Sequence, residues 1–268
     1  MTDASTGSTS SAAAPKHPLT LCFDIGGSGL KADVLDANGD FAADRVRVPT
    51  TYPMPPERMV DRLTELAVRL PEADRMSAGF PGMVRRGHVL SAPHFVTANG
   101  PGSAVVSELQ KAWSGFDLAH ALSASIGQPC RVANDADVQG AAVVEGKGYE
   151  VVITLGTGFG TAFFMDGRLM PHMEFAHVGF RKDQSFNEQL GEPERKKIGD
   201  KKWNDRVRKM VTYFDALTFF DHLYIGGGNA QRINRRDLGD VLERITVVDN
   251  SAGILGGIKL WDESHIAV

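Results

Sequence analysis

The sequence predicts an α/β protein built from two similar lobes. Three observations carry that reading. Two glycine-rich turns, in residues 21–36 (LCFDIGGSGLKADVLD) and 151–167 (VVITLGTGFGTAFFMDG), are each entered from β-forming residues and left into a second strand-like run. Strands open each half of the chain and helices follow, the ordering expected of α/β layers. The 268 residues, 42% hydrophobic and 23% charged, suffice for one large domain or two ordinary lobes.

Taken in order, residues 1–17 (MTDASTGSTSSAAAPKH) are rich in Ser, Thr and Ala and predict a disordered tail. They lack the basic start and apolar stretch of a secretion signal and are too short for a helix-turn-helix domain. Residues 18–25 read as a buried strand, 29–35 as its hairpin partner and 41–48 as a third strand. A Pro-rich stretch, TYPMPPE, precedes a helix over 57–70, where Met59, Leu63, Leu66, Ala67 and Leu70 recur at helical spacing. A strand over 75–80 runs into the turn Gly79-Phe80-Pro81-Gly82, and 91–115 reads as loop-rich. Asp117 is placed to cap a helix ending near Gly127. The strand CRVA leads to Asn134-Asp135-Ala136-Asp137 and a helix to about 145. The second hairpin covers 149–165. A long helix is predicted over 193–220, broken near Gly199, with Trp203, Val207, Met210, Phe214 and Leu217 as its core stripe. A short strand over 223–225 enters Gly226-Gly227-Gly228-Asn229, and a final helix spans 251–261.

Composition narrows the function. A formal net charge of -4 argues against nucleic acid as the main partner. No apolar run approaches the roughly 20 residues that span a bilayer. Cys22 and Cys130 both fall in strands and read as inert core thiols; without a C-x-C or C-x-x-C cluster no cysteine zinc site is expected. Scarce cysteine suits a reducing cytoplasm.

The chemistry starts at the glycines. Gly26, Gly27 and Gly29 form one turn, and Gly156, Gly158 and Gly160 the other. Glycine lets backbone N–H groups approach a ligand closely, and successive inward N–H groups make an anion-binding concavity. Two such turns, far apart in sequence, point to two half-sites holding a phosphate chain between two lobes.

These segments resemble a known family. Asp24-Ile25-Gly26-Gly27-Ser28-Gly29-Leu30-Lys31 is similar to the first phosphate motif of the ROK family of sugar kinases and repressors, closest to its polyphosphate glucokinase branch. Similar segments follow in family order: Gly79-Phe80-Pro81-Gly82, Asn134-Asp135-Ala136-Asp137, Thr154-Leu155-Gly156-Thr157-Gly158, Ile225-Gly226-Gly227-Gly228 and Asn250-Ser251-Ala252-Gly253-Ile254-Leu255-Gly256. The resemblance implies the two-lobed actin-like or hexokinase-like ATPase fold, with ribonuclease H-like lobes. The lobes then divide as 18–133 plus 250–268, and 134–249.

The resemblance also implies roles. Asp135 is the expected general base on a sugar hydroxyl. Its place at a helix start predicts a lowered pKa, hence a carboxylate ionised at neutral pH; helix capping is the plainer reading of the same residue. Asn134 is expected at a neighbouring hydroxyl. Glu174 and His177 match the family's Glu-x-Gly-His sugar-contact segment, with Ala176 in place of glycine. Asp24 is expected near Mg2+ through water and near the terminal phosphate. Gly26, Gly27, Ser28 and Gly29, with Thr157 and Gly158, would cradle phosphates. Gly227 and Gly228 resemble the segment near the nucleoside or distal phosphate. Lys31 reads equally as a phosphate contact or a surface lysine.

Departures matter as much. Most ROK proteins carry a cysteine-rich zinc segment and a further sugar-contacting Glu after the His; neither is matched here. The polyphosphate branch also lacks zinc, so no zinc is expected. Glu188 is the candidate replacement for the missing carboxylate. Eight basic residues between Arg195 and Lys209 face only Asp200 and Asp205 within that span. They read either as a polyanion-attracting surface or as a solvated face with local ion pairs. The expected function is a cytoplasmic, homodimeric sugar kinase transferring a phosphoryl group from polyphosphate, ATP or both to the primary hydroxyl of glucose or a similar hexose. The alternative is a ROK-fold sugar- or nucleotide-binding protein that has lost turnover.

Overall fold

The computed structural model describes residues 17–248 and 252–262. All but the last residue of the expected tail, and Asn250 and Ser251 ahead of the final helix, lie outside the described residues.

The chain opens with β1 (Thr20–Ile25) and β2 (Gly29–Leu35), followed by β3 (Val46–Pro49) and helix α1 (Pro56–Ala67). β4 (Arg75–Phe80) leads into two short strands, β5 (Val84–Arg85) and β6 (His88–Val89). Helix α2 (Ser107–Trp113), strand β7 (Phe116–Asp117), helix α3 (Leu118–Ile126) and β8 (Cys130–Asn134) complete the first half. The first sheet runs β3-β2-β1-β4-β8, antiparallel across β1–β3 and parallel from β1 through β8.

Strand period explains its two faces. Leu21, Phe23 and Ile25 join Leu30, Ala32 and Val34 in a core with Met59, Leu63 and Leu66 of α1 and Leu118 and Leu122 of α3. Each fully buried Leu or Phe contributes about 1.5–3 kcal/mol there. Cys22, Asp24, Lys31 and Asp33, on the opposite face, line a cavity.

Helix α4 (Asp135–Ala141) crosses to the second half. There β9 (Tyr149–Leu155), β10 (Phe159–Met165) and β11 (Arg168–Leu169) precede a small hairpin, β12 (Gly179–Arg181) and β13 (Gln184–Ser185). Helices α5 (Phe186–Leu190), α6 (Glu192–Ile198) and α7 (Asp200–Thr218) follow, then β14 (His222–Gly226) and β15 (Ile245–Val247). The second sheet runs β11-β10-β9-β14-β15, with the same antiparallel-then-parallel sequence as the first. Its core gathers Phe159, Phe163, Phe186, Trp203, Val207, Met210 and Phe214. Helix α8 (Ala252–Lys259) returns to the first sheet, where Ser77 Oγ donates to the Gly257 carbonyl at 2.5 Å.

Several boundaries differ from the sequence expectation. The third strand begins at Val46 rather than 41, and Phe41 makes only an isolated bridge to Leu35. The first helix stops at Ala67. The stretch expected to be loop-rich contains α2, anchored by buried Leu109 and Trp113. The helix after Asn134 ends at Ala141 rather than 145. The expected break at Gly199 is real: its φ of 81° separates α6 from α7. Among the described residues no helix is long and apolar enough to cross a membrane.

Candidate active site

The site is built around the start of α4, which is wedged between the two sheets by glycines. At the end of β4, a Cβ on Gly79 would lie 3.6 Å from the Asp135 Cα. On β10, a Cβ on Gly160 would lie 3.1 Å from the Ala136 Cβ and 2.5 Å from Thr154 Oγ1. Small residues on both sides therefore let the first turn of α4 approach both sheets.

Asp135 is half-buried there and shares a cavity of about 270 Å³ with Asp24, Lys31, Asp33, Arg45 and Gln139. Its carboxyl is not held low, as the helix start suggested. Desolvation pushes it up to about 7; the charges of Asp24 and Asp137 add to that, against the Ala136 N–H and His172. Burial outweighs the helix N–H groups because only one, that of Ala136, donates to this carboxylate, at 2.9 Å. The group is thus half-ionised near neutral pH, a suitable poise for a general base.

Asn134, expected at a sugar hydroxyl, has a buried side chain engaged by its own neighbours. Oδ1 accepts from the Ala136 N–H at 2.8 Å as the N-cap of α4, and Nδ2 donates to the Gly82 carbonyl at 2.9 Å. The residue ties the β4 turn to the helix.

The first glycine turn is closed by the Gly26 N–H to Gly29 carbonyl bond and held from outside. Thr50 Oγ1 donates to the Gly26 carbonyl and the Tyr52 hydroxyl to that of Gly27, both at 2.7 Å. The amides of Gly27 and Ser28 have no acceptor among the described residues. A Cβ on Gly27 would lie 3.2 Å from His94, a ring beside the turn that sequence reasoning missed. Lys31 faces the cavity, where Nζ donates to Asp24 Oδ2 at 2.6 Å across the β1–β2 pair.

The second turn is fixed in the same way by different residues. The Gly156 carbonyl accepts from the Glu192 N–H and from Asn229 Nδ2, both at 2.9 Å, and Asn187 Oδ1 accepts from the Phe159 N–H at 3.0 Å. Thr157 is exposed and Gly158 half-buried at its tip. Gly227, with φ of 89°, brings the third glycine turn against the second: a Cβ there would lie 2.5 Å from the Leu155 carbonyl oxygen. Gly228 is exposed beside it.

Glu174 lies in the loop between β11 and β12. Its Oε1 accepts from the Ala176 N–H at 3.1 Å. Ala176 is buried in the second core, so the methyl that replaces glycine is accommodated by packing. His177 is exposed and makes no hydrogen bond among the described residues. The buried histidine of this region is instead His172, which sequence reasoning did not single out: its Nδ1 lies 3.0 Å from Asp137 Oδ1. No local pattern marks it, because its partner is 35 residues away in the chain.

Glu188, the candidate replacement for a sugar-contacting carboxylate, is engaged at the start of its own helix. It closes a capping box with Ser185, whose N–H and hydroxyl both donate to Glu188 Oε2. Five of the eight basic residues of the run form ion pairs among the described residues. Arg195 meets Asp200, Lys196 meets Glu192, Lys197 and Arg206 meet Glu194, and Arg208 meets Asp205. The sequence count missed Glu192 and Glu194 because they lie just before the span.

Two glycine hairpins facing an acidic helix start between two like sheets define a class, the actin-like or hexokinase-like sugar-kinase fold. The chain belongs to the ROK family, whose profile matches residues 20–183. It is 27% identical to the polyphosphate glucokinase of Mycobacterium tuberculosis, over 97% of each chain. Among solved structures it is similar to the inorganic polyphosphate/ATP-glucomannokinase of Arthrobacter sp. strain KM, with a TM-score of 0.72 and 27% identity over 90% of this chain and 97% of that one. The ROK family glucokinase of Streptomyces griseus, solved with glucose and AMPPNP, matches in fold with a TM-score of 0.63 and 20% identity over 90% of this chain and 98% of that one.

Proposed function

We propose that this chain is a sugar kinase, a phosphotransferase that moves a phosphoryl group from polyphosphate, ATP or both to the primary hydroxyl of glucose or a similar hexose. The observation that carries the reading is Asp135. It is a carboxylate poised near neutrality, in one cavity with Asp24 and Lys31 of the first hairpin, and next in the chain to Ala136, against which Gly160 of the second hairpin packs. The lobes of the reaction are residues 18–133 plus 250–268, and 134–249. Asp135 takes the proton from the sugar hydroxyl as its oxygen attacks the terminal phosphorus. Gly26, Gly27, Ser28 and Gly29 hold that phosphate from one lobe, and Thr157 and Gly158 from the other. Gly227 and Gly228 border the distal part of the donor, and Glu174 and His177 approach the sugar ring.

The donor set fits Mg2+ held through water. Among the described residues no three His, Cys, Asp or Glu side chains converge as a cage. The Asp24 side chain is 49% exposed on the cavity, and Mg2+ usually keeps several waters while using one or two carboxylates and substrate phosphates. When bound it would neutralise charge on the transferring phosphoryl group. Lys31 would hold the Asp24 carboxylate in place for it. The enzyme is read as cytoplasmic and homodimeric, the latter testable by light scattering in solution.

Steady-state phosphorylation of a hexose panel with polyphosphate and with ATP tests this. Turnover of a hexose by either donor is expected. Hexose or nucleotide binding by calorimetry, with no turnover from any pair, would instead establish the degenerate binding protein.

A further inference from the structure

The His172 side chain is 3% exposed, yet its Nε2 has no hydrogen-bond partner among the described residues. A buried ring nitrogen left unpaired costs on the order of 1–3 kcal/mol, so its position needs a reason. One nitrogen of the ring is anchored: Nδ1 lies 3.0 Å from Asp137 Oδ1, and Asp137 sits on the first turn of α4, two residues after Asp135. The other aims at the sugar-side loop: Nε2 lies 3.9 Å from Glu174 Oε2, just beyond hydrogen-bond reach. The loop is pinned beside it by Thr161 Oγ1, which donates to the Met173 carbonyl at 2.8 Å.

The geometry points to His172 as a positioning residue: an imidazolium bridge from Asp137 to Glu174 that closes onto the Glu174 carboxylate when hexose binds and fixes it as an acceptor for ring hydroxyls. This rests on the sugar-kinase reading above. Two carboxylates on opposite nitrogens require both to carry protons. The charge balance agrees. Burial alone would lower the His172 pKa, but Asp137 and Glu174 outweigh it and push it up to about 9. Glu174 is correspondingly held low, first by His172 and despite its own burial, whereas burial pushes the Asp137 carboxyl up against the His172 hydrogen bond. The charged and titratable groups around the ring are Asp137 and Asp135 from α4, and Glu174, with His177 beyond it, from its own loop. The bridge therefore links the helix that carries the base to the loop that meets the sugar.

Two measurements on the full chain test this. In the wild type, side-chain 15N NMR is expected to show His172 protonated on both nitrogens at pH 7.5, and Asp137→Asn to lower its midpoint. A neutral ring at pH 7.5 would overturn the bridge. In kinetics, His172→Gln is expected to raise the hexose KM about tenfold, the worth of one hydrogen bond to a charged group, with the donor KM unchanged. Because His172 acts through Glu174, His172→Gln in a Glu174→Gln background should add nothing further. Independent, multiplying effects would overturn the proposal, as would an unchanged hexose KM in the single variant. If the wild type phosphorylates no hexose, the kinase reading fails, and the NMR titration alone decides the bridge.

Discussion

In the first hairpin Asp24 faces Lys31 across β1 and β2; at the matching register of the second, Thr154 faces Gly160 across β9 and β10. Both hairpins join a third strand in parallel, and both enter their turn two residues after that position. The surrounding framework is the same, so the difference isolates what each turn contributes. The first carries a charged pair into the cavity shared with Asp135. The second carries a threonine and a glycine, whose small size admits Ala136 and brings the start of α4 onto the sheet. One hairpin supplies charge; the other supplies room for the helix that bears Asp135, the proposed base.

The strongest way to break this division is to remove the Asp135 carboxylate while keeping the room. Asp135→Asn is expected to lower kcat by roughly 10²–10⁴-fold, the range of a positioned general base, while calorimetry still shows hexose binding. Next in size is pH. With Asp135 pushed up to about 7, kcat/KM for the hexose should fall about tenfold per unit below that value and level off above it. The same shift has a stability consequence. The folded pKa exceeds the unfolded value of 3.8, so this group favours the native state fully below 3.8, and that contribution is lost as pH rises through about 7. Asp135→Asn should therefore raise the denaturation midpoint more at pH 8 than at pH 5, as urea titrations at both pH values would show.

The packing half is sharpened by a pair of glycines. A Cβ at Gly160 collides with Thr154 and crowds Ala136, whereas one at Gly156 meets nothing within 4 Å. Gly160→Ala is expected to cost about 1–3 kcal/mol by overpacking, and Gly156→Ala within about 0.5 kcal/mol, read from urea midpoints. The smallest effect belongs to the charged half. Lys31→Met should raise the donor KM by up to about fivefold, since a half-exposed ion pair is worth up to about 1 kcal/mol, and leave the hexose KM unchanged.

Much of this was legible in the chain because it is local. β-formers running into Gly-Gly-Ser-Gly or Gly-Thr-Gly mark a hairpin, and both hairpins lie where the sequence puts them. Gly199 breaks a helix through its own backbone, and Gly127 ends another with φ of 88°. What the sequence hid depends on distance or on competition. The seven-residue α2 exists because Trp113 finds the core and donates to the Met54 carbonyl, 59 residues away. The pairing of His172 with Asp137 has no sequence signature for the same reason. At Asp135 the local helix start predicted a low pKa, and burial, which is tertiary, reversed it.

Asp135 is proposed to stand where a sugar hydroxyl meets the phosphoryl group. A crystal structure with hexose bound tests it most directly. An Asp135 carboxylate oxygen is expected about 2.6–3.2 Å from the primary hydroxyl, with Glu174 on the ring hydroxyls. A hexose bound elsewhere, or seated in the cleft with Asp135 out of reach of any hydroxyl, would contradict it.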